Sequence, residues 1–187
     1  MKYTVGFLFQ DSPELDSVLL IHKLRGPPYV VGKLNGIGGK FKEGETPLEC
    51  MIREGEEEAN VLVKSPSADW LQEQNDSFVD WQQFHYELHP GKEANPEPKE
   101  LYFFVATTPV NTSSVVRSLT DEVVSWVHLS SALRSGKAPV VPVNQAVRAG
   151  PVRSLVPNLM YLLPMAKHWL ENKDQHYSTQ EPCKGCF

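Results

Sequence analysis

A chain of 187 residues with 41% hydrophobic content can bury one well-formed core and is too short for two full domains. Its formal charge of −5 argues against an extended nucleic acid as main ligand, which would favour a basic stripe. No apolar run approaches the ~20 residues of a membrane span, MKYTVGFLFQ lacks a basic leader, and three cysteines are too few for a disulfide framework, so a cytoplasmic protein with no membrane partner is expected.

Tyr3 to Phe9 is a short apolar run with aromatic and β-branched residues, and Ser17 to Leu24 is a second; separated by DSPELD, they predict a strand pair. RGPPYVVGK is a turn-rich connection into a glycine turn at Gly38 and Gly39. Thr46 then offers a hydroxyl cap, Pro47 suits the first helical position and Glu49 completes a capping box, so a helix begins at Pro47. At ~100° per residue, Glu54, Glu57 and Glu58 fall at i, i+3 and i+4 and share one face. Leu48, Met51, Ile52 and Ala59 occupy another, suited to packing on a sheet.

Beyond the helix, Val61 to Val63 is β-prone and a helical turn is expected around Asp69 to Gln72. Phe78 to Leu88 and Leu101 to Thr107 predict strands, with HPGKEANPEP as the loop between them. TDEVVSWVHLSSAL predicts a loop, a strand centred on Trp126 and a short helix, and Arg134 to Arg153 a long loop. Asn158 to Glu171 has helical periodicity through Leu159, Leu162, Leu163, Ala166 and Leu170, with Pro164 expected to kink or restart it. The polar tail from Asn172 is expected to be disordered; its Cys183 and Cys186 lack the further ligands of a closed zinc site. His85, His89 and His128 show no metal-ligand spacing. The order of elements predicts an α/β domain over residues 1–171, a mixed sheet covered by helices, followed by the tail 172–187.

Like charges crowded on one side of a helix repel, and a merely solvated face would intersperse lysines there. A hard divalent cation prefers oxygen ligands and shares them with substrate phosphates, so Mg²⁺, with Mn²⁺ as the alternative, would turn that repulsion into coordination.

Read by spacing, the segment runs Gly39, five residues, Glu45, seven residues, Arg53, Glu54, Gly55, Glu56, Glu57, Glu58, Ala59, Asn60, Val61. This closely resembles the Nudix box, G-x5-E-x7-R-E-U-x-E-E-x-G-U with U aliphatic. It departs at Gly55, where a helix-interior glycine costs ~1 kcal/mol and predicts a less firmly seated helix. It departs again at Asn60, which tolerates the left-handed cap that glycine usually supplies. The resemblance implies the Nudix fold, an α/β/α sandwich, and a Mg²⁺-dependent pyrophosphohydrolase that cleaves a nucleoside triphosphate to monophosphate and pyrophosphate. It implies that Glu54, Glu57 and Glu58, with the Gly39 carbonyl, hold the metal, that Arg53 orients the glutamates and that Glu45 braces the loop. Glu57 is the first choice for general base, Glu122 the second and Glu100 the third.

LNGIGGKFKEGE, TDEVVSW and VPNLMYLLPM further resemble the oxidised-purine nucleoside triphosphate hydrolases. Asn35, Gly38, Lys40 and Asn158 are the substrate-binding residues that this likeness implies. Where that group carries paired aspartates reading the purine edge, this chain has Asn158 and Leu159, and Val156 replaces the base-stacking tryptophan. Looser base selectivity is expected. ADP-ribose, dinucleoside polyphosphates and capped RNA ends are alternative substrates, and a non-catalytic nucleotide-binding module is an alternative role. Three crowded carboxylates favour the enzyme, because a pure binder has no need of them.

Overall fold

The computed structural model describes residues 1–61, 79–91, 97–109, 116–140 and 151–173. Strict alternation along two strands sets the architecture. In β1 (Lys2–Asp11), Phe7 and Phe9 enter one apolar cluster and Leu8 enters another; in β2 (Ser17–His22), Val18 and Leu20 join the first, Leu19 and Ile21 the second. Strands buried on both faces must be covered on both faces.

β2 pairs antiparallel with β1 through Leu8–Leu19 and Phe9–Val18, as the two apolar runs predict. Its far end pairs with the two-residue β3 (Leu34–Asn35), and its other edge with β6 (Val123–His128), both antiparallel. β5 (Lys99–Pro109) runs parallel to β1 along its whole length and carries the edge strand β4 (Gln82–His89) on its outer side. The result is a six-stranded mixed sheet.

α1 (Pro47–Ala59) sets Met51 and Ala59 on the face of Leu8, Leu19, Ile21 and Phe104. α2 (Leu129–Ser135) and α3 (Leu159–Glu171) bury Leu129, Ala132, Leu159, Leu162, Leu163 and Ala166 against Phe7, Phe9, Val18 and Phe103 on the opposite face. This is the helix–sheet–helix sandwich expected. The α1 start is as read: the Glu49 backbone N–H donates to Thr46 Oγ1 at 3.3 Å, and the Thr46 N–H donates to the Glu49 carboxylate at 2.8 Å. Asn60 takes the left-handed cap at φ 55°, ψ 34°.

Several expectations are corrected. Leu48 is 43% exposed. The buried stripe of α1 runs instead through Cys50, Met51, Gly55, Glu58 and Ala59, and the first turn projects beyond it. Gly55 is buried on that stripe under the Trp81 indole; a Cβ there would stand 3.5 Å from Trp81 Nε1, in ordinary contact. α3 continues through Pro164, which is solvent-exposed, so water can serve the carbonyl that proline cannot. The expected loop from Arg134 to Arg153 contains β7 (Lys137–Pro139), paired with β8 (Val152–Ser154) after the end of α2. Strands of two or three residues, β3 included, carry too little alternation to read. The expectations for Leu62 to Val63, Asp69 to Gln72 and the tail beyond Lys173, with its two cysteines, lie outside the described residues. Among the described residues no helix is long and apolar enough to cross a membrane.

Met51 is fully buried where α1 meets the sheet. Met51→Ala is expected to destabilise the protein by ~2–5 kcal/mol, read as a lower urea midpoint. An unchanged midpoint would mean that this contact does not seat α1.

Candidate active site

The acidic face of α1 meets the glycine turn at one end of the sheet. Gly38 adopts φ +145°, and a Cβ there would lie 2.2 Å from the Thr4 carbonyl, so only glycine lets the turn lie against β1. Its backbone N–H donates to Glu58 Oε2 at 2.9 Å. At Gly39 a Cβ would lie 2.5 Å from Glu54 Oε1, so the missing side chain makes room for that carboxylate. The Gly39 carbonyl accepts the Thr4 N–H at 2.9 Å and keeps a second lone pair.

Arg53 ties the face together. Its Nε and Nη2 grip the two oxygens of Glu45 at 2.5 and 2.9 Å, a bidentate pair, while Nη1 donates to Glu54 at 2.7 Å and to Glu57 at 3.1 Å. Nη2 also reaches the Lys40 carbonyl at 3.2 Å. The guanidinium holds the Glu45 carboxyl down at about 2, and the carboxylates hold Arg53 above its own ordinary value. Glu45 in turn accepts the Lys42 N–H at 2.7 Å, which braces the loop as expected.

Glu57 is half-exposed and receives Lys42 Nζ at 3.1 Å. Partial burial pushes its carboxyl up, but Lys42 and Arg53 outweigh this and keep it below the usual range. Glu58 is buried, and its Oε1 accepts Lys23 Nζ at 2.9 Å. Burial raises the Glu58 carboxyl against the pull of Lys23 and the Gly38 N–H. The same ammonium lies 2.6 Å from Glu122 Oε2, and Glu122 Oε1 accepts the Leu24 and Arg25 N–H groups at 2.7 and 3.1 Å.

Gly38, Gly39, Arg53, Glu54, Glu57 and Glu58 are therefore brought together, with Glu122 joined through Lys23. Lys40 has an exposed side chain beside the turn. Asn35 sits in β3, paired with Ile21. Asn158 starts α3 in the opposite layer; its Oδ1 is buried without a partner among the described residues. Near the two asparagines the backbones meet, where the Val156 N–H donates to the Leu34 carbonyl at 2.9 Å. Glu100 accepts the Tyr102 hydroxyl at 2.7 Å and lies near Lys2, partners that belong to the sheet rather than to α1.

Lys23 and Lys42 are the site residues that sequence reasoning missed. The charge crowding on α1 signals that cations must be near, but their positions depend on tertiary contacts. Among the described residues no three acidic, histidine or cysteine side chains already form a metal cage; Glu54, Glu57 and Glu58 are each engaged by a cation of the chain. The donor set itself, carboxylate oxygens plus a backbone carbonyl, is the chemistry that Mg²⁺ and Mn²⁺ accept, and the space at Gly39 keeps Glu54 against that carbonyl's residue.

A family model described as the NUDIX domain matches residues 2–144. The NUDIX domain of Shewanella oneidensis NrtR complexed with ADP ribose is similar in structure: TM-score 0.56, 14% identity, 91% of this chain and 88% of that one. A Caenorhabditis elegans Ap4A hydrolase binary complex gives TM-score 0.54 at 17% identity over 91% of this chain and 98% of that one. A MutT/nudix family protein from Enterococcus faecalis gives TM-score 0.54 at 16% identity over 91% of this chain, which spans only 62% of that protein's length. At these identities the likenesses report a shared fold.

The Glu45–Arg53 pair makes stability pH-dependent with a definite sign. A carboxyl depressed to about 2 from an ordinary 4.5 contributes fully above about pH 4.5 and loses that contribution as pH falls through about 2. Wild type is therefore expected to exceed Glu45→Gln in urea midpoint near neutrality, with the gap narrowing as acid is added below about pH 4.5. A gap that stays constant or widens on acidification would contradict this assignment.

Proposed function

The chain belongs to the Nudix family, and from that premise we propose that it is a pyrophosphohydrolase that uses Mg²⁺ or Mn²⁺ to cleave a nucleoside triphosphate to a monophosphate and pyrophosphate. The observation that carries this reading is the gathering of Glu54, Glu57 and Glu58 around the Gly38–Gly39 turn, with Arg53 locked behind them by Glu45.

Water must approach a phosphorus already surrounded by anionic oxygens, and a charged group must leave. A divalent ion held by Glu54, Glu57, Glu58 and the Gly39 carbonyl would supply charge neutralisation at that bridge. Arg53 aims Glu54 and Glu57, because its own fork is immobilised on Glu45 and cannot swing toward solvent. Glu57 accepts the proton of the attacking water; among Glu54, Glu57 and Glu58 it is the one in open contact with solvent. Glu122 is the weaker candidate, since it is buried away from open solvent behind Lys23. Lys40 and the Gly38 turn serve the phosphates. Asn35 and Asn158 serve the base, and the Asn158 Oδ1, which has no partner among the described residues, supports that role by offering an acceptor.

The same carboxylates would serve any diphosphate bridge, so ADP-ribose, dinucleoside polyphosphates and capped RNA ends remain the competing substrates. The worm Ap4A hydrolase and the ADP ribose complex of the NrtR domain make the first two natural members of a substrate panel.

The test is product identity with Mg²⁺ and with chelator, for wild type and Glu57→Gln. A nucleoside triphosphate is expected to give monophosphate and pyrophosphate, chelator to stop turnover, and Glu57→Gln to lose ~10²-fold or more in rate without a lower melting temperature. Undiminished activity of the variant would end the base assignment, and release of inorganic phosphate alone would end the cleavage assignment. The ratio of kcat/KM for an oxidised over an unmodified guanine triphosphate is expected to be on the order of tens, because each missing hydrogen bond to a base edge is worth ~1–3 kcal/mol. A ratio in the thousands would show that residues other than Asn158 read the base.

A further inference from the structure

Lys23 follows β2 directly and is fixed at both backbone groups: its N–H donates to the Lys33 carbonyl at 2.9 Å and its carbonyl accepts the Gly32 N–H at 2.8 Å. Its ammonium sits between two buried carboxylates from distant parts of the chain, 2.9 Å from Glu58 on α1 and 2.6 Å from Glu122 before β6. Glu58 is 8% exposed and Glu122 6%. Their other oxygens are already taken, Glu58 Oε2 by the Gly38 N–H and Glu122 Oε1 by the Leu24 and Arg25 N–H groups. No other cation pairs with either carboxylate among the described residues. Two buried anions without a counter-charge are costly, and removing the single shared cation would leave both uncompensated.

We propose that Lys23 is a resident counter-cation that competes with the divalent metal for Glu58, and that through Glu122 it sets how tightly the site binds that metal. The proposal rests on the reading of Glu58 as a metal ligand given above. Glu58 Oε1 is engaged by the ammonium, so an incoming divalent ion must draw that oxygen away from Lys23. Lys23 keeps Glu122 when it releases Glu58, and is therefore retained beside the site as a positioning residue. The other cations of the face differ from it. Lys42 is 61% exposed at its side chain and water screens its pair with Glu57. Arg53 is clamped by both oxygens of Glu45 and stays in place whatever binds Glu54.

A lysine that is only a structural prop and a lysine that competes with metal predict different results when its charge is removed. The experiment titrates full-length wild type, Lys23→Met, Lys23→Gln and Lys23→Arg with Mn²⁺, following free Mn²⁺ by electron paramagnetic resonance, and records melting temperatures in chelator and in Mn²⁺. Lys23→Met is expected to bind Mn²⁺ at least about ten-fold more tightly than wild type. It is also expected to melt lower in chelator and to gain more from Mn²⁺. Lys23→Gln, which keeps a donor without the charge, should show the same tightening, so the result does not depend on the folding of one variant. Lys23→Arg should return affinity toward wild type. Equal or weaker Mn²⁺ affinity in both neutral variants overturns the competition and leaves Lys23 a prop. Absence of Mn²⁺ binding by wild type overturns the metal-dependent reading itself and this inference with it.

Discussion

Repulsion among Glu45, Glu54, Glu57 and Glu58 is the constraint that the site must satisfy before any chemistry begins. Arg53 answers most of it at one point, with a bidentate grip on Glu45 and single bonds to Glu54 and Glu57. Because both ends of the Glu45–Arg53 pair are fixed, the guanidinium is a rigid frame for the two outer carboxylates. Glu58 is too deep for that frame, and Lys23 with the Gly38 N–H compensates it instead. The negative charge gathered on α1 is thus tolerated by cations that the chain supplies.

These cations work only if α1, the glycine turn and the ends of β2 and β6 hold fixed relative positions. Met51 and Ala59 pin α1 on the sheet, and Trp81 covers the gap at Gly55. The capping box fixes where α1 begins, and the left-handed Asn60 fixes where it stops. The turn is held through the Thr4 N–H and the Gly39 carbonyl, while the antiparallel pairing of β2 with β6 brings Lys23 beside Glu122. Packing on both faces of the sheet therefore acts on function through the distances of a few charged groups. A shift of α1 by an ångström would break the Gly38–Glu58 and Lys23–Glu58 hydrogen bonds together.

What depends on neighbours in sequence was legible beforehand. The α1 start, the shared face of Glu54, Glu57 and Glu58 and the asparagine cap follow from spacing within a few residues, and the strand pair from two short apolar runs with a turn between them. What depends on distant partners was not. Lys23 reads as an ordinary lysine within the run Ser17 to Leu24, and only folding brings it to Glu58 and Glu122. Leu48 shows the limit of periodicity, which identifies an apolar face without saying how far the sheet extends beneath it. Gly55 shows the limit of propensity, which says nothing of the Trp81 ring that folding lays over it. β3, β7 and β8 are backbone pairings too short to leave a pattern.

The central claim is that the α1 carboxylates form a divalent-cation site, and direct binding tests it without any assumption about substrate. Titration of wild type and Glu54→Gln with Mn²⁺, with affinity and stoichiometry read from the fall in the free-ion resonance signal, is the most direct measurement. Saturable binding by wild type and a clear loss of affinity in a Glu54→Gln protein that still melts cooperatively is the predicted result. Equal affinity in the two proteins, or no saturable binding by wild type, would contradict it.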